Sequence, residues 1–253
     1  MPRYFLEVSY KGTAYAGFQV QQNANTIQAE VEKALQTYFR LPFSLTGSSR
    51  TDTGVHALQN YFHFDTEHRI EVLRSVYHIN AILPFDISVK NIFCVADAAH
   101  CRFDAVSRSY RYYLYQSKDP FLQERAYYYP YALDLDLLND AASSLIGTHT
   151  FGSFSKKNVQ VKTLECTIFE SRWSVHDKIF EYHVVGSRFL RGMVRGLVGT
   201  MLGVGRHRIT VSEFISIRQS GQSARVDFST PARGLFLEEV QFQKPPVSNR
   251  TTL

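Results

Sequence analysis

The sequence predicts an α+β fold made of two successive βαββαβ halves, ferredoxin-like in element order, with antiparallel sheets and helices on one face of each sheet. Strands are predicted where apolar and polar residues alternate with period 2, and helices where apolar residues recur at i, i+3 and i+4. The order of elements in the first half recurs in the second. The apolar content of 44%, with 19 Phe and 15 Tyr in 253 residues, supplies a large core and excludes global disorder.

The first half contains six predicted elements. Tyr4, Leu6 and Val8 alternate with polar residues, which predicts a strand over residues 4–10. A helix follows, with Asn25 or Thr26 placed to cap its first turn. The other elements are a short strand at 43–46, a strand through 61–64, a helix over 73–80 and a strand at 87–95. The loop from Gly47 to His56 joins the two middle strands.

The second half repeats this order and adds one helix. Gly147 is the expected stop of its first helix, and Thr210 with Glu213 predicts a capping box for the additional helix. The predicted elements are a strand at 108–116, a helix at 134–146, strands at 163–173 and 178–185, a helix from 188 to about 202, and a strand at 234–242. We expect two domains, over residues 1–104 and 105–243, and a disordered tail at 244–253.

Cysteine usage and hydropathy predict a soluble, cytoplasmic protein. No C-x-x-C pair is present, which argues against a disulfide framework and a structural zinc site and favours a reducing compartment. No apolar run follows the basic start, so no secretory signal is expected. The longest apolar stretch, residues 189–204, contains Arg191 and Arg195 and is too short to span a bilayer. The three cysteines are Cys94, Cys101 and Cys166.

The loop at 47–57 concentrates polar chemistry, with Arg50, Asp52 and His56 within seven positions. Its Asp-Thr-Gly triplet at 52–54 is typical of an ordinary turn. The same triplet is the active-site sequence of aspartic proteases. That chemistry needs two carboxylates that share a proton, and the chain contains no second copy, so only a homodimer would supply one.

Residues 50–57, Arg-Thr-Asp-Thr-Gly-Val-His-Ala, resemble the catalytic loop of the tRNA pseudouridine synthase A family, which typically reads Gly-Arg-Thr-Asp-x-Gly-Val-His-Ala. Ser49 stands where the family usually has Gly, and this difference removes no chemical group. The resemblance covers residues 4–242 through further segments in the same order, at 10–19, 102–103, 110–112, 147–154, 189–199 and 231–235.

The resemblance implies isomerisation of uridine to pseudouridine at positions 38, 39 and 40 of the tRNA anticodon arm. It also implies a homodimer that uses no metal and no small-molecule cofactor. Asp52 would be the nucleophile, because a covalent or ion-paired species divides the breaking of a glycosidic bond into two easier steps. Three routes stay open, in which the carboxylate attacks the ribose C1′, attacks the ring C6, or abstracts a ribose proton to give a glycal.

The resemblance implies that two residues of the second half bind the substrate. Arg195 matches the family's cationic partner of the nucleophile, although in an apolar helix it would by itself be read as extending to solvent. Tyr110 matches the tyrosine that stacks on the target base, although a Tyr-rich strand by itself favours core packing. Tyr112 and Leu114 should share the face of Tyr110. The sheets of the two halves are expected to meet at a central cleft where Asp52, Tyr110 and Arg195 converge.

A stacked uridine must be flipped out of the RNA before it can react, at a cost of about a few kcal/mol. Arg50 matches the family residue that occupies the vacated space or supports the flipped nucleotide, and a salt bridge within the loop is the alternative. His56 either contacts RNA or supports the loop.

Basic residues expected to bind RNA phosphates are concentrated in two segments. Residues 182–212 carry five arginines and no acidic residue. The net charge of this segment, +5, equals that of the whole chain. Arg188, Arg191 and Arg195 fall at i, i+3 and i+7 of the predicted helix and would share one side. Lys156 and Lys157 belong to a second segment without acids. Glycines at 192, 196, 199 and 203 on the same helix indicate close approach by another backbone or by RNA.

A non-catalytic RNA-binding module would use the same elements and the same basic residues. It has no use for Asp52 in a cationic groove, where the carboxylate would repel phosphate. An aspartic protease would cleave peptides whether or not tRNA is present. A pseudouridine synthase is therefore the main hypothesis.

Overall fold

The computed structural model describes residues 1–68, 70–156 and 163–246. Its mixed α/β architecture with mostly antiparallel pairing confirms the predicted α+β class. Residues 247–253, which make up most of the predicted tail, lie outside the described chain. The strands are β1 (Arg3–Tyr10), β2 (Thr46–Gly47), β3 (His56–Asp65), β4 (Ile87–Val95), β5 (Ala105–Tyr115), β6 (Tyr127–Tyr128), β7 (Gly147–Thr150), β8 (Glu165–His176), β9 (Ile179–Gly186) and β10 (Leu235–Phe242). The helices are α1 (Ile27–Phe39), α2 (Val72–Ile82), α3 (Leu135–Ser143), α4 (Met193–Gly205) and α5 (Val211–Gln219).

The chain divides into two compact units. The first unit comprises residues 1–106 together with the C-terminal residues from Leu237 onward, and the second comprises residues 107–236. The last strand therefore counts with the first unit, although it is far from it in sequence. The division into two domains at residue 104 stays a prediction.

The sheet of the first unit has the strand order β4-β1-β3-β10. Leu6 of β1 lies opposite Phe62 of β3 and Ile92 of β4, and all three side chains are buried. Phe18 stacks on Phe62 with ring centroids 4.4 Å apart. The hydroxyl of Thr26 accepts a hydrogen bond from the Ala29 amide at 3.3 Å, so Thr26 caps α1.

The short strand predicted at 43–46 is wrong, because only Thr46 and Gly47 pair with β3. Phe43 instead packs edge-on against Phe64 at 5.3 Å. An aromatic residue in a loop that packs against a strand is as apolar in the sequence as one within a strand, so the two cannot be told apart by hydropathy.

The segment that follows β4 packs against β3 through the buried thiol of Cys101. The thiol donates to the Thr46 carbonyl at 3.2 Å and lies 3.2 Å from Nδ1 of His63. Burial lowers the pKa of His63 to about 4, so its imidazole is neutral at pH 7. The three cysteines are free thiols.

The sheet of the second unit has the strand order β5-β9-β8-β7, with β6 parallel to β5. Asp177 and Lys178 both have positive φ and form the two-residue turn between β8 and β9, in which His176 pairs with Ile179. Helix α3 ends at Ser143, earlier than predicted. Gly147, the expected stop, has φ 105 and opens β7, a strand that the sequence did not indicate.

Helix α4 begins at Met193 and not at Arg188, because Gly192 before it is left-handed with φ 73. The prediction that Arg188, Arg191 and Arg195 share one side of a helix is therefore wrong. Only Arg195 lies on α4.

The close approach of another backbone is confirmed at one of the four glycines, Gly199, whereas Gly203 makes only ordinary contact with Ile209. A Cβ on Gly199 would lie 2.3 Å from the carbonyl oxygen of Asp227, and one on Gly196 would lie 2.8 Å from the Phe228 ring. The capping box of α5 is confirmed as well, since Thr210 and Glu213 bond reciprocally.

Candidate active site

The loop that carries Asp52 ends in a tight turn. The Val55 amide donates to the Asp52 carbonyl at 3.1 Å, and Gly54 at the third turn position has φ 78. This is the pattern of a type II turn, in which glycine is favoured at that position. The side chain of Asp52 is half-buried, and Arg50 is exposed.

The segment at 12–18 packs directly against this loop. A Cβ on Gly12 would lie 2.0 Å from the Val55 carbonyl oxygen, so no side chain fits there. The Phe18 amide donates to the Thr51 carbonyl at 3.1 Å. Nδ1 of His56 accepts from the Gly12 amide at 3.0 Å, and His56 is only 1% exposed. This burial favours the loop-supporting interpretation of His56 over RNA contact.

Three further hydrogen bonds fix the N-terminal flank of Asp52. The Tyr10 hydroxyl lies 2.7 Å from the Thr51 hydroxyl. The Asn60 side-chain amide of β3 bonds both backbone groups of Ser49. Sequence reasoning missed Asn60, although a polar residue within the otherwise apolar inner face of β3 is a signal that could have identified it.

Ser49 also differs from the family's usual glycine by a hydroxyl. Its Oγ and that of Ser48 are buried, and neither has a hydrogen-bond partner among the described residues. A buried hydroxyl that finds no partner is unfavourable, so the hydroxyl does not account for the position of the loop.

In the second unit, Tyr110 lies on β5 opposite Val184 of β9. Tyr112 and Leu114 share its face, as predicted, and are fully buried, whereas Tyr110 is half-buried. The Tyr110 ring meets Phe189 edge-on, with centroids 5.0 Å apart. Phe189 therefore orients the ring from the loop that precedes α4.

Arg195 lies in the first turn of α4 and is held by Thr230. Its Nε donates to the Thr230 carbonyl at 2.7 Å, and the Thr230 hydroxyl donates to the Arg195 carbonyl at 2.8 Å. Thr230 is 1% exposed. A cation in the first turn opposes the helix dipole, so helix stability does not explain this arginine. Sequence reasoning missed Thr230, which is 35 residues away in the chain.

The structure brings Lys156 next to Arg191 at the start of α4. The Lys156 amide donates to the Arg191 carbonyl at 3.1 Å, and the Lys156 ammonium lies 5.9 Å from the centre of the Phe228 ring. Arg191 is exposed and Arg188 is half-buried. These cations are therefore carried by the loops before α4 and not by one helical stripe. Lys157 lies outside the described residues.

Within the described part of the chain, no group of three or more His, Cys, Asp or Glu side chains is arranged to hold a metal ion. The same residues include no helix long and apolar enough to cross a membrane.

Comparisons with known proteins match this chain over most of its length. A family model described as tRNA pseudouridine synthase matches residues 7–104 and 141–243. The tRNA pseudouridine synthase A of Staphylococcus aureus strain bovine RF122 / ET3-1 is 42% identical over 240 residues, which cover 94% of this chain and 90% of the relative. The protein of the same description from strain MRSA252 is also 42% identical, with 94% and 91% covered. The chain belongs to the tRNA pseudouridine synthase family.

Proposed function

We propose that this protein isomerises uridine to pseudouridine at positions 38, 39 and 40 of the tRNA anticodon arm, with Asp52 as the nucleophile. The observation that carries the proposal is the placement of this carboxylate. Asp52 is half-buried in a loop whose backbone is held by two hydrogen bonds, from the Phe18 amide to the Thr51 carbonyl and from the Val55 amide to the Asp52 carbonyl. A nucleophile needs this kind of fixed geometry, because orientation contributes a large part of catalytic rate enhancement.

The reaction exchanges one glycosidic bond for another. The bond from N1 of the base to the ribose C1′ breaks, C5 of the rotated base bonds to C1′, the C5 proton leaves and N1 gains a proton. A carboxylate serves this chemistry by stabilising or trapping the species formed between the two bonds. No oxidant, reductant or further reactant is consumed.

Tyr110 and Arg195 are proposed to bind the substrate. The half-buried ring of Tyr110, held edge-on by Phe189, offers an apolar surface for the base. The hydrogen bond to Thr230 fixes the guanidinium of Arg195 as a donor for an anionic group. Arg50 is exposed, as a residue that supports a flipped nucleotide must be.

Lys156, Arg188 and Arg191 are proposed to bind tRNA phosphates, together with Lys157. The first three are near one another in sequence or space at the start of α4. We further propose that the protein acts as a homodimer in the cytoplasm.

Mapping pseudouridine in tRNA tests the proposed activity. Cells that lack this protein are expected to have unmodified uridine at positions 38, 39 and 40, and pseudouridine elsewhere in the same tRNAs serves as the internal control. Supplying the wild-type gene should restore all three positions. Unchanged anticodon arms in the deleted strain would exclude the proposed function.

Arg195→Lys is expected to lower the isomerisation rate by at least about tenfold, because lysine keeps the charge but cannot reproduce the guanidinium geometry fixed by Thr230. Single-turnover kinetics with tRNA transcripts measures the effect. Arg172→Lys is the control, because Arg172 is exposed on β8 of the same unit. Equal rates for the two variants would show that Arg195 does not act in the proposed site.

A further inference from the structure

The side chain of Asn60 is a buried polar group whose hydrogen-bonding capacity is fully used. It lies on β3 opposite Val8, and its exposure is 0%. Oδ1 accepts from the amides of Ser49 at 3.3 Å and Tyr61 at 2.9 Å. Nδ2 donates to the Ser49 carbonyl at 2.8 Å and to the Tyr10 hydroxyl at 3.1 Å. Two donors and two acceptor positions are the complete inventory of an Asn side chain.

The orientation of this amide follows from its partners. A flipped amide would direct its NH₂ group at two backbone N–H donors and its oxygen at the Ser49 carbonyl, which leaves three backbone groups in repulsive contact. Only the orientation described satisfies all four.

The Asn60 contacts continue to the residue before Asp52. The Tyr10 hydroxyl that accepts from Asn60 also lies 2.7 Å from the Thr51 hydroxyl. Asn60 therefore holds the loop at Ser49 directly and at Thr51 through Tyr10, on both sides of Arg50. The four residues that make these contacts are at most 8% exposed, namely Tyr10, Ser49, Thr51 and Asn60. Water competes little for hydrogen bonds at this depth, so each of them constrains the loop strongly.

We propose that Asn60 is a positioning residue for the reaction, and that it sets the location of Asp52 through Ser49, Tyr10 and Thr51. This inference rests on the proposed function of Asp52. Asn60 touches no reacting atom in this role. Its loss should reduce turnover and leave tRNA affinity intact, because a displacement of about 1 Å at the nucleophile can lower the rate about 10²-fold.

Asn60→Ala tests this proposal against Asn80→Ala. Asn80 is a matched control in the same unit, since its side chain bonds both backbone groups of Val89, at 2.8 and 2.9 Å, but holds β4 and not the loop. We expect kcat for pseudouridine formation to fall about 10- to 100-fold in Asn60→Ala, with KM for tRNA within about twofold of wild type. Asn80→Ala should keep the wild-type kcat at 25 °C even if its melting temperature falls as far as that of Asn60→Ala.

Tyr10→Phe is the second variant, which removes one hydroxyl and keeps the ring that stacks on Phe18. Its control is Tyr182→Phe, which removes a buried hydroxyl that lies 2.9 Å from the Ser171 hydroxyl in the other unit. We expect kcat to fall at least about threefold in Tyr10→Phe and to stay unchanged in Tyr182→Phe. If Asn60→Ala does not fold, this pair decides the question.

The outcomes separate the two proposals. A wild-type protein that forms no pseudouridine overturns the proposed function and this inference with it. An active wild type together with wild-type kcat in Tyr10→Phe and in folded Asn60→Ala overturns the positioning role alone. A loss that appears in KM and not in kcat also overturns it.

Discussion

Asp52→Asn is expected to abolish pseudouridine formation, with a loss of at least about 10³-fold. The amide has almost the same size as the carboxylate but is not a nucleophile. The loop should keep its conformation, because the hydrogen bond from the Val55 amide goes to the backbone carbonyl of residue 52. Release of tritium from tRNA that carries 5-tritiated uridine measures the reaction.

Binding of tRNA to the Asp52→Asn variant should be as tight as to wild type or tighter, because the substitution removes a negative charge from the surface that we propose binds tRNA. Filter binding at two salt concentrations measures this affinity. Asp97→Asn is the control for the change in charge, since Asp97 is exposed and outside the loop. Tritium release at the wild-type rate from Asp52→Asn would show that another group is the nucleophile.

Gly199→Ala and Gly203→Ala are expected to change stability in opposite directions, although both lie on α4. A Cβ at Gly199 would stand 2.3 Å from the Asp227 carbonyl oxygen, a backbone atom that cannot swing away. We expect this variant to lose about 2–4 kcal/mol of unfolding free energy. A Cβ at Gly203 would meet only Ile209, at 3.5 Å, which is ordinary contact. Alanine there should add about 0.5–1 kcal/mol through its higher helix propensity.

Urea unfolding followed by the fluorescence of Trp173, the single tryptophan of the chain, measures both effects. This residue reports on α4 directly, because its Nε1 lies 3.5 Å from the Met201 sulfur. A midpoint for Gly199→Ala at or above the wild-type value would contradict the close approach at Gly199. A lower midpoint for Gly203→Ala would contradict the ordinary contact at Gly203.

Local signals in the sequence predicted those elements whose ends depend on neighbouring residues. The cap at Thr26 and the capping box at Thr210 follow from side chains that bond amides three residues away. The start of α4 was mispredicted because an apolar run with suitably spaced arginines resembles a helix, whereas the left-handed φ of Gly192 is visible only in the structure. The short strands β6 and β7 depend on partners distant in sequence and carry no local pattern.

The candidate site shows the same difference between residues marked by a local signal and residues whose roles depend on distant contacts. Asp52 was identifiable because its loop is contiguous and resembles that of a known family. Asn60 is marked in the sequence only as a polar residue among apolar neighbours. Its role and that of Thr230 depend on contacts with Ser49 and Arg195, which lie 11 and 35 residues away. A hydrogen bond across such distances leaves no periodicity in the chain.

The position of β10 has a consequence for synthesis on the ribosome. Residues 237–242 complete the sheet of the first unit next to β3, where Val240 bonds Gln59 and Phe242 packs on Phe5. During translation the first 106 residues emerge long before this strand does. Except where the two residues of β2 pair with it, this edge of β3 therefore stays open until the whole second unit has been made, and an open strand edge is prone to pair with other chains. A nascent chain truncated before residue 237 should need a chaperone that the full-length protein does not.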